Sequence, residues 1–215
     1  MPMTKTDFPR AVLFDLLTAL LDSWSLWDAA AGSREAGRAW RAEYLRLTYG
    51  CGAYVPYEHL VRTAARAARL PDSAAVALEA RWLELEPWSG AQEALDALQG
   101  RTRLAVVTNC SQRLGLLAAG RLNTRWDCVV TAEAVGYYKP DPRPYRLALE
   151  RIGVPASDAA FVAGSCYDLI GTAAVGLRSY WHNRVGLARP ARAPPADFES
   201  STLDHLIPWL EGRLA

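Results

Sequence analysis

Apolar positions fall in short runs separated by segments of helical period. Ala11-Val-Leu-Phe-Asp15 is four apolar residues ending in an acid, the pattern of a buried parallel strand with a carboxylate at its C-terminal tip. Leu16–Ser23 follows as a turn or loop. Residues 24–86 read as mostly helical, with stretches at Arg34–Arg46 and Tyr57–Leu70 broken by Tyr49-Gly-Cys-Gly52 and Leu70-Pro71-Asp72, and no strand-like run interrupts them. From Pro87 the pattern changes. A helix over Ala91–Leu98 precedes a second buried strand, Leu104–Thr108. A helix over Arg113–Arg121 then precedes a short strand at Cys128–Thr131, and a helix over Pro142–Ile152 follows. Phe161–Gly164 is a further strand, Ser165–Asp168 leads into a helix ending near Val175, and Arg178–His182 gives one more strand. Ala188–Pro195 reads as a surface loop and Leu203–Leu214 as a last helix. Strands alternating with helices at this spacing predict an α/β fold: a doubly wound, Rossmann-like parallel sheet. The core is expected from residues 1–22 and 88–215, with a small inserted helical cap domain at 23–87.

Composition narrows the function classes. The chain has 215 residues, 51% apolar and 22% charged, which suits a globular protein. With 24 Lys+Arg against 23 Asp+Glu the net charge is +1, so no strong drive toward nucleic acid or an anionic membrane is expected. Apolar runs fall short of the ~18–20 residues of a membrane span. The polar N-terminal segment, Met1–Asp7, lacks the apolar stretch of a signal peptide. Four cysteines without a C-x-x-C pair and only three histidines give no expectation of a zinc site. They suit reduced thiols in a cytoplasmic protein. No cofactor is expected.

In such a sheet the ligand lies beyond the carboxyl ends of the strands. The residues there are Asp15, Thr108 and Asn109, and Gly164, Ser165 and Asp168, from distant parts of the chain. Asp15 admits two readings: a nucleophile that forms a covalent ester, or a structural acid capping a turn. Lys139 lies in Tyr137-Tyr-Lys-Pro-Asp-Pro-Arg-Pro-Tyr145. It is either a solvated loop residue or, because the prolines stiffen the loop, an ammonium aimed at Asp15 that would hold it ionised. Most of the eight Trp are expected to be packing residues; Trp24 and Trp27, just after the Asp15 loop, are the ones placed to reach a pocket.

Phe14-Asp15, Thr108-Asn109, Tyr138-Lys139-Pro140-Asp141-Pro142 and Ser165-x-x-Asp168 with Gly171 and Ala174-x-Gly176-Leu177 stand in the order of the haloacid dehalogenase-like hydrolases. The chain resembles that superfamily over nearly its whole length. It looks closest to the L-2-haloacid dehalogenase branch, because the phosphatase branch carries a second aspartate where this chain has Leu17 and a magnesium-binding acid where it has Gly164. The resemblance implies metal-independent hydrolysis of a small 2-substituted carboxylic acid. Asp15 would attack the α-carbon and expel halide. Arg38, with Arg41 as a competitor, and Asn109 would cradle the halide. Thr108 and backbone groups near Leu16 would bind the carboxylate. Lys139, Asp168 and Ser165 would support Asp15 and orient water. Tyr145 stands at the dehalogenase spacing from Lys139, and Tyr167 stands for the family's tryptophan. Trp181-His-Asn183-Arg184 is similar to the family's Trp-x-Asn-Arg segment.

The departures fall on the pocket. The family's Asp-x-Tyr-Gly-Thr-Leu is here Asp15-Leu-Leu-Thr-Ala-Leu, and Ala163 and Ser165 replace Ser and Asn. A changed substrate is the natural implication. A strained azetidine-carboxylate ring, a phosphate ester and a non-catalytic binding role are the alternatives. The apolar surface of a small helical cap also allows a homodimer.

Overall fold

The computed structural model describes residues 8–214. The expected polar N-terminus, Met1–Asp7, lies outside them, and the expected core segment 1–22 is described only from residue 8.

All four residues of β1 (Ala11–Phe14) are buried. The helical insertion follows as α1 (Ser23–Ala31), α2 (Arg34–Gly50), α3 (Tyr57–Ala67) and α4 (Asp72–Ala80). The chain then gives α5 (Ala91–Leu98), β2 (Arg103–Thr108), α6 (Gln112–Ala119), β3 (Cys128–Thr131), α7 (Ala132–Val135) and α8 (Pro142–Ile152). It closes with β4 (Ala159–Ala163), α9 (Asp168–Val175), β5 (Arg178–His182), β6 (Phe198–Ser200) and α10 (Leu206–Leu210). The strands form one parallel sheet in the order β3-β2-β1-β4-β5-β6. The α/β, doubly wound parallel sheet expected from the sequence is present. Among the described residues no helix is long and apolar enough to cross a membrane.

Both faces of the sheet are covered, as a parallel sheet requires. Val12, Phe14, Val106 and Val162 point into one apolar core, and Leu13, Val107 and Phe161 into the other. Burying each such side chain contributes about 1.5–3 kcal/mol. β1 pairs with β2 on one side and with β4 on the other, Phe14 facing Val106 and Val162. The chain reverses its direction of winding here, so a crevice opens at the carboxyl ends of β1 and β4.

The insertion leaves and rejoins through neighbouring strands of chain. Leu21 bridges to Pro87, Asp22 N–H donates to Glu86 O (2.8 Å) and Trp88 N–H to Leu20 O (2.8 Å). Asp22 caps α1 by accepting from Ser25 N–H (3.0 Å), and Ser33 caps α2, as side-chain oxygens do for orphan amides. Along α2 the residues Trp40, Arg41, Tyr44 and Thr48 are buried at helical spacing, and this stripe faces the carboxyl end of the sheet.

Two boundaries differ from expectation. β6 lies between the expected loop, Ala188–Pro195, and the expected last helix, Leu203–Leu214, where no element was expected. It is a three-residue edge strand, Phe-Glu-Ser, without an apolar run, and exists through pairing with β5. The last helix is shorter than 203–214.

Candidate active site

Asp15 leaves β1 directly into a tight turn. Leu20 and Leu21 N–H both donate to Leu16 O (3.3 and 3.0 Å), closing it. Trp88 Nε1 donates to Thr18 O (3.0 Å), and His182 Nδ1 lies 2.8 Å from Ala19 O. The turn aims two amides and a hydroxyl at one carboxylate oxygen. Asp15 Oδ2 accepts from Thr18 N–H (2.9 Å), Ala19 N–H (3.1 Å) and Thr18 Oγ1–H (2.6 Å).

Asp15 Oδ1 faces Lys139 Nζ at 2.7 Å, and the same ammonium lies 2.9 Å from Asp168 Oδ1. All three are buried. Asn109 holds the lysine's main chain from both sides: its Oδ1 accepts from Lys139 N–H (2.7 Å) and its Nδ2 donates to Lys139 O (3.0 Å). Asp168 opens α9 and accepts from Tyr145 Oη–H at 3.0 Å.

The electrostatics separate the two acids. Burial pushes Asp15 up, but the Lys139 charge and the hydrogen bonds from Lys139 and Thr18 outweigh it, and its carboxyl sits below the ordinary value of 3.8. Burial, with the Asp15 charge nearby, holds Asp168 above its ordinary value despite Lys139. Burial lowers Lys139, yet its two acidic neighbours raise it overall. Asp15 is therefore a desolvated carboxylate that stays ionised.

Across the cavity stands Arg41. Its guanidinium lies 4.2 Å above the Trp24 ring centroid and 5.3 Å from that of Trp27. Nη2 donates to Ser23 Oγ (2.7 Å), and Ser23 in turn donates to Leu17 O. Nη1 is buried and has no partner among the described residues; the same holds for Thr108 Oγ1. Burying a polar or charged donor unpaired is costly, and both residues line the cavity. The cavity between these groups has a volume of ≈ 410 Å³.

Asp15, Lys139, Asp168, Thr108, Asn109, Ser165, Tyr167 and Trp24, all expected from the sequence, line this one cavity. Four expected residues stand differently. Arg38 is exposed and does not line it; three residues along a helix rotate a side chain off the inward stripe, and Arg41 takes the inward position. Tyr145 is fully buried behind Asp168, which it holds, and does not line the cavity. The Leu16 side chain is also fully buried, and its carbonyl closes the turn. Asn109, expected as a halide ligand, spends its amide on the Lys139 main chain. Thr18, Tyr49, Leu187 and Arg189 line the cavity without having been singled out as site residues. The signal for the last two was present: the segment follows β5, beyond a strand's carboxyl end.

Position 164 tests the site for magnesium. A Cβ there would overlap the Thr18 backbone and hydroxyl and Ala19 N, so no acidic side chain fits. Both remaining carboxylates are engaged by Lys139. The donor set does not fit a divalent cation.

Comparison with known proteins bears on the family and the fold. A family model described as haloacid dehalogenase-like hydrolase matches residues 10–176. The chain is 27% identical to (S)-2-haloacid dehalogenase 4A of Burkholderia cepacia over 221 residues, covering 95% of this chain and 96% of that one. A crystal structure of a dehalogenase with an intermediate complex superposes with a TM-score of 0.84 at 26% identity, over 95% of this chain and 98% of that one. A crystal structure of an L-2-haloacid dehalogenase gives a TM-score of 0.84 at 25% identity, over 95% and 100%.

Proposed function

The chain belongs to the haloacid dehalogenase-like hydrolases, and from that premise we propose that it hydrolyses a small 2-substituted carboxylic acid, a 2-halo acid in the first instance, through a covalent aspartyl ester. One observation carries this reading: an ionised, buried Asp15 faces a buried Arg41 whose Nη1 has no partner among the described residues.

In the first step Asp15 Oδ1, held by the single donor Lys139, attacks the α-carbon, while the carbon–halogen bond breaks and its electron pair leaves with the halide. Arg41 Nη1 receives that anion, and Thr108 Oγ1 orients the substrate carboxylate. A halide needs no proton to leave, so the absence of an acid at Leu17 is no obstacle. In the second step water attacks Asp15 Cγ. The electron pair moves onto Oδ2, where Thr18 N–H, Ala19 N–H and the Thr18 hydroxyl act as an oxyanion hole. Asp168 takes the proton from water, and collapse of the intermediate breaks the ester C–O bond to give the 2-hydroxy acid, its alkoxide protonated from the Lys139–Asp168 pair. Overall one water is consumed, and one halide and one proton are released.

The test is halide release from a panel of short L-2-halo acids and fluoroacetate without added metal. Release that disappears in Asp15→Asn supports the reading. No release from any member by a folded protein removes it.

A further inference from the structure

The cavity is much larger than a short halo acid. Its ≈ 410 Å³ is more than ten times the ~30 Å³ that one water occupies in the liquid and belongs to the class that encloses drug-sized ligands. A chloropropionate fills only a fraction of it. The lining also divides by chemistry. Asp15, Lys139 and Thr108 on the sheet side and Arg41 across from them gather charge and unpaired donors. Much of the remaining wall is apolar and aromatic, with Arg189 at the mouth.

That outer lobe is built from three separate parts of the chain. Leu45 and Tyr49 lie one turn apart on α2. Tyr167 follows β4, and its ring packs against Tyr49 with centroids 4.3 Å apart at 40°. Leu187 and Pro190 come from the loop after β5. That loop is held in place: Asn183 Oδ1 accepts from Leu187 N–H (2.7 Å), and Asn183 Nδ2 donates to Leu187 O (3.0 Å). The Arg192 guanidinium lies over the Tyr167 ring (5.3 Å). Leu45, Tyr49, Tyr167 and Leu187 are all only partly buried, so apolar surface stays wet unless a ligand covers it. Leu17 extends this surface at the position where the resemblance puts a tyrosine.

Resting on the reading above, we propose that the substrate carries an aromatic or comparably bulky apolar group beyond its α-carbon, of the 2-substituted 3-arylpropionate class. The carboxylate and leaving group sit among Thr108, Asp15 and Arg41, and the aryl group lies between Tyr49–Tyr167 and Leu187. Flat aromatic walls favour an aromatic guest through offset or edge-to-face packing. A second anionic group is the weaker fit. Arg189, at the mouth, is exposed and its Nη1 already donates to Ala193 O (2.5 Å), and Arg192 is spread over Tyr167.

Two measurements test this. In the first, halide release is compared for (S)-2-chloropropionate, (S)-2-chloro-3-phenylpropionate and (S)-2-chlorosuccinate. The expected kcat/KM for the phenyl acid exceeds that for chloropropionate at least tenfold, the scale of burying one ring. Leu187→Trp, which fills the outer lobe, brings that ratio down by a similar factor. In the second, binding of the unreactive propionate and 3-phenylpropionate is followed by tryptophan fluorescence, with at least tenfold tighter binding expected for the phenyl acid. Turnover of chloropropionate with none of the phenyl acid, or preference for chlorosuccinate, overturns this inference and leaves the dehalogenase reading standing. Silence toward every halo acid, with 3-phenylpropionate still binding tighter, removes the dehalogenase reading and supports the aryl pocket. Equal binding of the two unreactive acids overturns the inference.

Discussion

Thr18 Oγ1 lies 2.6 Å from Asp15 Oδ2. The family pattern puts a threonine four positions after the nucleophile, where this chain has Ala19. The hydroxyl has moved one position along the same turn and still reaches the carboxylate. The departure at Ala19 is thus an exchange of position with Thr18, and Asp15 Oδ2 keeps three donors.

If those donors stabilise the oxyanion of ester hydrolysis, removing one slows the second step more than the first. Thr18→Val leaves both amides and is expected to lower kcat roughly tenfold to a hundredfold, toward the range seen for a lost oxyanion-hole donor. Mass spectrometry of the mixed enzyme and substrate should then show the alkylated Asp15 peptide accumulating. Thr18→Ser should restore most of the rate. Equal slowing of halide burst and turnover would count against the oxyanion role.

Arg41 and Arg38 make a paired prediction. Arg41→Ala removes the buried cation that would receive the departing halide, and losing one partner of a buried charge contact costs about 2–5 kcal/mol, or roughly 30- to 3,000-fold in kcat/KM. Arg41→Lys is expected to recover little, because an ammonium cannot replace a planar guanidinium stacked on Trp24 and Trp27. Arg38→Ala should leave kcat/KM within about twofold and stability within about 0.5 kcal/mol, as for exposed substitutions generally. Chloride release by each variant decides the assignment.

The sheet and the acids at its strand ends are legible because buried parallel strands leave continuous apolar runs, and a charge at the end of such a run stands out. Asp15 and Asp168 follow from that signal, and Lys139 from the proline-stiffened loop that holds it. The choice between Arg38 and Arg41 does not. Several arginines share α2, and the inward face is fixed by Trp27 packing against Trp40 (centroids 4.6 Å apart), a contact between helices that no local pattern encodes. Tyr145 sits at the expected spacing from Lys139 but is turned to the back of Asp168. Spacing gives the neighbourhood of a side chain and not its direction. Ala188–Pro195 reads as loop because its composition is that of a loop; only its place after β5 marks Ala188–Pro190, with Leu187, as pocket wall.

The pH dependence follows from Lys139. Asp15 is held below its ordinary 3.8, so its stabilising contribution is complete above the unfolded value and disappears as pH falls through the folded one. Lys139 is raised above 10.5; its contribution is present below that value and is lost as pH rises through the folded one. Asp168, raised by burial, works against stability once ionised. Alkylation of Asp15, read as kcat/KM, should persist on the acid side to below pH 3.8, whereas kcat, which needs ionised Asp168 as base, should fall off at a higher pH. Lys139→Gln removes the cation, so the acid limb of residual kcat/KM is expected to shift to higher pH. An unchanged limb would mean that Lys139 does not set the ionisation of Asp15.

Gly171 supports the site from behind. A Cβ there would collide with Tyr145 Cε2 and lie 2.7 Å from Cζ and 2.8 Å from Oη. That ring cannot yield freely, because it is fully buried and packs edge-on to Phe161 with centroids 5.1 Å apart. Gly171→Ala should therefore behave as overpacking and destabilise by about 1–3 kcal/mol, read as a lower urea midpoint with the slope unchanged. It should also displace the Tyr145 hydroxyl from Asp168 and reduce turnover. Tyr145→Phe separates the two effects: it removes the hydrogen bond to Asp168 but keeps the ring, so it should lower kcat with a smaller loss of stability. Combining Gly171→Ala with Tyr145→Leu relieves the collision, and the double variant should then lose less stability than the sum of the two single losses, as expected of residues in direct contact. Additive losses in that double variant would mean that Gly171 acts through the helix backbone and not through Tyr145.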